Sequence, residues 1–588
     1  MQTQAPFVLI DDARSPGGAQ LFSTPHKILS CTDAKDVPHV LRQIEEALSD
    51  GHHVAGYMAY ELGYLLEPKL ATLLPPKHSG PLIWMGVFSA PSPVDDSLFD
   101  AWAEQPHDVG EMRPTLDRET YITQVEKIRE HIRAGDGYQI NHTFKQHFDF
   151  SGSALSLYAH LRRKQRARYG ALIADGTRHI LSLSPELFVA TQNGVAHTRP
   201  MKGTAARAAN PADDERQSHW LCHDEKSKAE NLMIVDLLRN DLGRIALVGS
   251  VNVTDLFTVE TYPTLHQLTS GIEAKLRPGT GFCDMVQALF PCGSITGAPK
   301  VKAMEIIRSL EKEPRGVYTG AVGYAAPNGN IRFNVAIRTI TLRDNKGEMG
   351  IGSGIVYDSD AGAEWDECHL KADFLTKPRP PFQLLETLLW QRDRGFTLLD
   401  RHLQRLAFSA AYFCYPCDLD TVKQALLHSV EGHDEDSMRI RLLMDQDGAL
   451  EIVATPHAPV GDAAPWRFVI SDQTINTDNP FLYHKTTNRA FYDDERTHQH
   501  SLTGCDEVLF VNQRGELSEG SITNVFLERD GQLLTPALSC GLLDGTLRRE
   551  LIETGRACEA VLTPADLKKA ERIWLGNSVR GLLHATQM

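Results

Sequence analysis

The sequence predicts an α+β architecture in two unlike halves joined at a proline-rich seam. Three observations predict it. The chain has 588 residues, more than one hydrophobic core holds, so about two to four structural units are expected. Runs of β-branched residues with period-two alternation are interspersed with segments of helical period. Within Thr376-Lys377-Pro378-Arg379-Pro380-Pro381, three prolines remove backbone donors and discourage helix continuation.

The elements follow in chain order. Residues 1–110 are an N-terminal part of the first half, 111–376 its catalytic domain, 377–381 the linker and 382–588 a second domain. Residues 225–242 are predicted helical, because Leu232, Val235, Leu238 and Leu242 recur at helical spacing. Residues 322–324, 331–340 and 349–351 are predicted strands, with turns such as Asn328-Gly329 between them. Past the seam, 402–413 is predicted helical, 439–444 and 451–454 are predicted strands, and 508–511 is a strand before the turn at 512–515. No internal repeat relates the halves, so fusion explains them better than duplication.

A charged fraction of 23% and a hydrophobic fraction of 42% belong to a globular protein. No apolar run approaches the roughly 20 residues a bilayer demands, so no membrane insertion is expected. The start Met1-Gln2-Thr3-Gln4-Ala5-Pro6, soon followed by Asp11-Asp12, lacks the basic and apolar pattern of a secretory signal, and a cytoplasmic location is expected. A net charge of -16 argues against nucleic acid as a partner. The ten scattered cysteines read as reduced thiols, and Cys414-Tyr415-Pro416-Cys417 stands without the second pair that a zinc site needs.

Chemistry-bearing residues recur in both halves. Lys202 lies in His197-Thr198-Arg199-Pro200-Met201-Lys202-Gly203-Thr204, where small neighbours let a reactive amine meet a substrate. Glu230 on the predicted helix, and Glu364 and Glu367 in Glu364-Trp365-Asp366-Glu367, are carboxylates of the kind hard cations use. Taken alone, each of them reads as a solvated surface charge.

Set beside Ser184-Pro185-Glu186-Leu187-Phe188, Ala229-Glu230-Asn231, Gly293-Ser294-Ile295-Thr296-Gly297-Ala298-Pro299-Lys300 and Gly352-Ser353-Gly354, the lysine segment resembles the chorismate-utilising enzymes. Within that family, lysine in the Pro-x-Lys-Gly-Thr position is similar to the aminodeoxychorismate synthase branch, whereas the anthranilate synthase branch carries alanine there. The resemblance implies a fold of antiparallel sheets with helices. It also implies Mg2+ held by Glu230 and Glu367, with Glu364 beside them, and chorismate bound by Arg338, Lys371, Gly352, Gly354, Tyr318 and Thr296. His266 matches the family's active-site histidine, Glu186 an acid for the departing 4-hydroxyl, and Lys202 a nucleophile toward C2 of chorismate. No segment resembles a class I glutamine amidotransferase, so the ammonia is expected from a separate glutaminase subunit or from solution.

In the second half, residues 382–388, His402-Leu403-Gln404-Arg405-Leu406, His484-Lys485-Thr486-Thr487-Asn488-Arg489 and Glu519-Gly520-Ser521-Ile522-Thr523-Asn524 resemble the fold-type IV pyridoxal phosphate enzymes. Those include aminodeoxychorismate lyases and amino-acid aminotransferases with an α/β fold like D-amino acid aminotransferase. The resemblance implies pyridoxal 5'-phosphate joined to Lys485, Glu519 at its pyridine nitrogen, and Arg405, Thr523, Asn524, Gly545 and Thr546 around it. Asp544-Gly545-Thr546-Leu547-Arg548 departs from the Pro-Gly-x-Thr-Arg form that relatives often carry. The short strand and Gly-Asp-Gly loop that open stand-alone relatives have no counterpart before residue 382.

Together the resemblances imply amination of chorismate followed by loss of pyruvate to 4-aminobenzoate, a folate precursor. Three alternatives stand beside this reading: an aminotransferase in the second half, an anthranilate synthase component in the first, and one half serving only as a scaffold for a glutaminase. A homodimer is the expectation by analogy with fold-type IV relatives.

Overall fold

The computed structural model describes residues 5–15, 17–78, 80–262, 265–376, 382–458 and 464–588. The predicted linker, 377–381, lies outside the described residues. Two compact units emerge. The first comprises Met1–Thr204, Leu221–Glu260 and Gln267–Arg379; the second comprises Ala205–Trp220, Thr261–His266 and Pro380–Met588.

In the first unit, two large antiparallel sheets face each other. Strand alternation produces this arrangement: in Phe7–Asp11, Val8 and Ile10 join the layer between the sheets, while Phe7 and Leu9 face helices outside. The second sheet obeys the same rule in His53–Met58, where Ala55 and Tyr57 face inward and Val54 and Met58 face outward. Helices Val37–Ser49, Glu225–Gly243 and Phe282–Leu289 cover one outer face. Helices Arg118–Arg133, Ala154–Gln165, Lys300–Leu310 and Ala361–Leu370 cover the other. Residues from 1–110 extend one end of both sheets rather than forming a layer of their own, since Phe7–Asp11 pairs with Tyr169–Ala174 and His53–Met58 with Ala321–Ala325.

Two expectations change. The run 331–340 is two strands, Ile331–Val335 in one sheet and Thr339–Arg343 in the other. The crossing is made at Arg338, whose φ of 48° turns the chain through the left-handed region. The helix at 225–242 is present as Glu225–Gly243, but Leu232 is 44% exposed. The buried stripe runs instead through Asn231, Ile234, Val235, Leu238, Asp241 and Leu242, the i, i+3, i+4, i+7 face. Asp224 caps this helix by accepting from Ser227 N, and Asp360 caps Ala361–Leu370 by accepting from Ala363 N. Those two helices carry the three candidate metal carboxylates.

The second unit is built on two sheets. Leu384–Gln391, Ser437–Met444 and Leu450–Pro456 form an antiparallel sheet under helices Leu399–Phe413 and Leu419–His428. The other sheet is mixed: Trp466–Ile475 runs parallel to Glu507–Asn512, and helix Ala490–Thr503 supplies the crossover that parallel strands require. Residues 205–220, 261–262 and 265–266 pack with this unit. The Arg207 guanidinium lies 4.0 Å over the Tyr412 ring and donates to Tyr412 O at 2.9 Å, and Ala209 packs on the cluster of Ile475, Leu482 and Tyr483. No helix among the described residues is long and apolar enough to cross a membrane, and all ten cysteines are free.

Candidate active sites

Lys202 sits on the strand Met201–Ala206, with Gly203 at φ 84° following it. Lys202 itself is half-buried, but its amine is desolvated, and that burial lowers its pKa against the pull of Glu230, Glu186 and Glu367. Glu186 is buried, and the loss of water pushes its carboxyl up to about 7, with Ser294 and Lys202 opposing. Ser294 Oγ donates to Glu186 Oε1 at 2.5 Å. A neutral carboxyl and a lowered amine within one electrostatic neighbourhood are the pair that acid-assisted nucleophilic substitution requires.

The three carboxylates assigned to metal feel one another. Burial raises the Glu230 carboxyl, and Glu364 and Glu367 raise it further against Lys202 and Lys226. Glu367 bridges Lys371 at 2.7 Å with both side chains partly exposed, 47% and 37%; partial desolvation raises its carboxyl, but Lys371 holds it below its ordinary value. Glu364 accepts from Ser359 Oγ at 2.7 Å. Among the described residues, no three His, Cys, Asp or Glu side chains converge to hold a metal by themselves. Mg2+ keeps water and binds through one or two carboxylates plus substrate oxygens, so Glu230 and Glu367 suit it as partial ligands.

Gly352 and Gly354 share the strand Lys346–Ile355, and Lys371 and Tyr318 lie against it. Lys371 Nζ donates to Gly352 O at 3.0 Å. A Cβ on Gly354 would stand 2.7 Å from Lys202 Nζ, which places that glycine beside the nucleophile. The Tyr318 ring packs where a side chain on Gly350 would otherwise be. Thr296 is buried, its hydroxyl donating to Cys292 O at 2.8 Å, and Arg338 Nη1 donates to Gln165 Oε1 at 2.9 Å. His266 belongs to the other unit: Nε2 lies 3.0 Å from Asp214 Oδ1 and Nδ1 3.1 Å from Thr261 Oγ1.

In the second unit, Lys485 is pinned by its backbone, Leu385 N donating to Lys485 O at 2.9 Å. Burial lowers its amine to about 8, and Arg405 and Arg489 push the same way while Glu386 and Glu519 oppose. Glu519 accepts from the Tyr492 hydroxyl at 3.0 Å and from Leu543 N at 3.1 Å, and burial raises it to about 7.

Arg405 grips Glu386 through two bonds of 2.8 and 2.6 Å and reaches Asp544 O at 3.3 Å. It therefore stands at the start of helix Thr546–Glu553, whose Gly545 N-cap offers no side-chain acceptor and leaves backbone N–H groups for an anion. A Cβ on Gly545 would lie 1.9 Å from Asn524 Oδ1, so only glycine admits this approach. Asn524 Nδ2 donates to Leu543 O at 3.0 Å, Thr523 Oγ1 to Glu507 Oε2 at 2.8 Å, and Thr546 Oγ1 meets His402 Nε2 at 3.2 Å. A lysine, an acid and an anion cradle fit pyridoxal phosphate.

Several functional neighbours carried no assignment from sequence. Glu386 holds both Arg405 and His402, the latter at 2.6 Å. Burial raises its carboxyl, but Arg405 and His402 outweigh that and hold it at about 2. Glu507, buried, accepts from Ser521 N at 3.0 Å and Ile522 N at 3.2 Å, anchoring the loop behind Glu519. In the first unit, Gln139 and Asn141 join Ser294 in a buried polar chain. The available signal was the placement of Glu386 and Ser294 inside recognised segments; Gln139 and Asn141 had none.

Comparison with known proteins divides the chain at the proline-rich seam, although Ala205–Trp220, inside the first match, clusters with the second unit. Residues 8–377 match the model of chorismate binding enzymes, and residues 383–588 match that of class IV amino-transferases. The chain is 41% identical over 262 residues to aminodeoxychorismate synthase component 1 of Escherichia coli K12, covering 45% of this chain and 58% of that protein. It is 37% identical over 266 residues to anthranilate synthase component 1 of Acinetobacter calcoaceticus, covering 44% of this chain and 54% of that one. The chain thus spans less than two thirds of these curated relatives. The solved structure of anthranilate synthase component I from Streptococcus pneumoniae TIGR4 superposes with a TM-score of 0.52 at 26% identity, covering 64% of this chain and 93% of that one.

Proposed function

Because the chain belongs to the chorismate binding enzymes and carries a class IV amino-transferase domain beyond residue 383, we propose that it converts chorismate to 4-aminobenzoate in two steps. The observation that carries the first step is Lys202, a desolvated amine in the electrostatic field of a buried carboxyl at about 7, Glu186.

The Lys202 amine attacks C2 of chorismate while Glu186 gives its proton to the departing 4-oxygen, which leaves as water. Ammonia then adds at C4 and expels the lysine, giving 4-amino-4-deoxychorismate. Lys371, Arg338 and the Gly352–Gly354 backbone hold the substrate carboxylates. Glu230 and Glu367 would hold Mg2+, whose charge offsets a substrate carboxylate. Relatives of this half are named component 1, which supports a separate glutamine amidotransferase as the ammonia source.

In the second step, Lys485, Arg405, Gly545 and Thr546 would hold pyridoxal phosphate, with Glu519 as the acid beside its ring, and the group would supply an electron sink for the carbon bearing the new amine. Lys485 would move the proton from that carbon. Pyruvate departs and the ring becomes aromatic. The adjacency of the two domains supports a lyase over an aminotransferase, since the first site makes the substrate the second consumes. Fusion also raises the local concentration of that intermediate. The product serves folate synthesis in the cytoplasm under this reading.

The test is product identification by chromatography and mass after incubation with chorismate, Mg2+, ammonia and pyridoxal phosphate. The expected products are 4-aminobenzoate and pyruvate. Anthranilate would overturn the role of Lys202, and an amine acceptor requirement for a 2-oxo acid would make the second domain an aminotransferase.

A further inference from the structure

Arg580 stands in the turn between strands Arg572–Asn577 and Gly581–Gln587, in the second unit. The Asn577 side chain shapes that turn, its Oδ1 accepting from Val579 N at 3.1 Å and Arg580 N at 2.9 Å. The same turn reaches the cradle described for the cofactor. Ser578 Oγ lies 3.0 Å from His402 Nε2, which also meets Thr546, and Asn577 Nδ2 donates to Ile522 O at 3.1 Å in the loop after Glu519. The Arg580 guanidinium itself lies 5.5 Å over the Trp466 ring, whose face keeps it in place.

Positive charge gathers here without being neutralised. Arg496 comes from helix Ala490–Thr503 and Arg439 from strand Ser437–Met444. Burial lowers the Arg580 guanidinium from its ordinary value, and Arg496 and Arg439 push it the same way while Glu507 opposes. His457 reports the same field: burial lowers its imidazole, and Arg580 and Arg439 lower it further. Among the described residues none of the three arginines pairs with a carboxylate, and Arg496 donates to a backbone oxygen, Asp506 O, at 3.4 Å. Glu507 is committed elsewhere. It accepts from Val508 N at 2.9 Å, Ser521 N at 3.0 Å, Ile522 N at 3.2 Å and Thr523 Oγ1 at 2.8 Å. The Arg580 fork therefore keeps donors for an anion from outside the chain. In a protein of net charge -16, three like charges brought together from three elements are repulsive until such an anion arrives.

We infer that Arg580, flanked by Arg439 and Arg496, binds a carboxylate of a dicarboxylate substrate in the second domain. The inference rests on the lyase reading above. The aminated product of the first step carries one carboxylate on its ring and one on its enolpyruvyl group, and a guanidinium fork matches a carboxylate through two parallel bonds. The phosphate of the cofactor has its own partners in Arg405 and the helix start at Gly545. A second cationic group, joined to that cradle by the 577–581 turn, is left for the substrate. Holding a carboxylate there would orient the ring so that the carbon bearing the amine faces Lys485.

The experiment gives the full chain, loaded with pyridoxal phosphate, the 4-amino-4-deoxychorismate accumulated by the Lys485→Ala variant, and reads pyruvate release. Arg580→Gln is expected to raise the KM for that compound about tenfold and to change kcat by less than about threefold, with Arg580→Lys between variant and parent. Arg439 is exposed, so Arg439→Gln keeps the fold, and its KM is expected to rise about threefold. A binding readout accompanies turnover. Isophthalate, with two carboxylates, should perturb the absorbance of the bound cofactor at lower concentration than benzoate, with one, and Arg580→Gln should remove that preference. An unchanged KM in both variants, a fall in kcat with KM unmoved, or a change confined to subunit association overturns the inference. A parent that releases no pyruvate overturns the lyase reading instead, and the isophthalate titration then still decides the role of the arginines.

Discussion

Lys202 and Lys485 are both lowered by burial, yet they keep opposite company. Around Lys202 the largest charge is Glu230, which opposes burial together with Glu186 and Glu367, while Lys371 reinforces it. Around Lys485 the largest charges are Arg405 and Arg489, which reinforce burial. Each site also holds a carboxyl raised to about 7, Glu186 and Glu519. The difference teaches that desolvation is the common device and that neighbouring charge tunes it: carboxylates restrain it where a metal and dianionic substrate are proposed to bind, and arginines extend it where a phosphate is proposed to bind.

The strongest way to break the comparison is to remove each lysine. Lys202→Ala is expected to lower chorismate consumption by about 10³-fold or more, while Lys485→Ala leaves it intact and stops 4-aminobenzoate formation, with 4-amino-4-deoxychorismate accumulating. Product analysis of both variants reads this directly; loss of chorismate consumption in Lys485→Ala would join the sites into one.

Next comes the acid. Glu186→Gln is expected to lower the first step by about 10²- to 10³-fold. Glu186 must be protonated to act, so the rate in the parent falls as pH rises through about 7. A pH profile of kcat/KM for chorismate that keeps this falling limb in Glu186→Gln assigns the acid to another group.

The third effect is on stability. Glu386→Ala leaves Arg405 and His402 buried without their shared carboxylate and is expected to destabilise the second domain by about 3–5 kcal/mol, read by denaturant unfolding. The carboxyl is held at about 2 in the fold, well below its unfolded value. Its contribution is therefore complete above the unfolded pKa and is lost as pH falls toward 2. The parent should lose more stability than Glu386→Ala across that acid window.

The smallest effect sharpens the contrast most. Arg489→Gln removes a cation that lowers Lys485, so the amine is expected to titrate above about 8. Covalent capture of pyridoxal phosphate, which uses the neutral amine, should then need a higher pH by about one unit or less. A midpoint that moves down contradicts the assigned role of the arginine.

The candidate motif residues were legible from sequence because they lie in short segments that resemble two known families. Lys202 beside Gly203, Lys485 before Thr486-Thr487, and Glu519 before Gly520-Ser521 are short-range patterns, and the two family models divide the chain within a few residues of the proline-rich seam. The α+β class and the strands at 322–324, 349–351, 439–444, 451–454 and 508–511 followed from the apolar pattern of the chain. What sequence periodicity could not express was direction. The run 331–340 alternates as one strand, yet a single left-handed residue, Arg338, sends its ends into different sheets. Leu232 fits a helical count but lies off the stripe that the sheet selects.

The sequence by itself, through its resemblance to two families, marked candidate residues in each half. The tertiary structure alone decided their partners: Gln139 reaching through Asn141 to Ser294 across 153 residues, Glu386 clasping Arg405 and His402, and His266 turning to Asp214. The reason is physical. A hydrogen bond between distant segments is set by sheet register and helix packing, which arise from the whole core, while no local spacing in the chain records them.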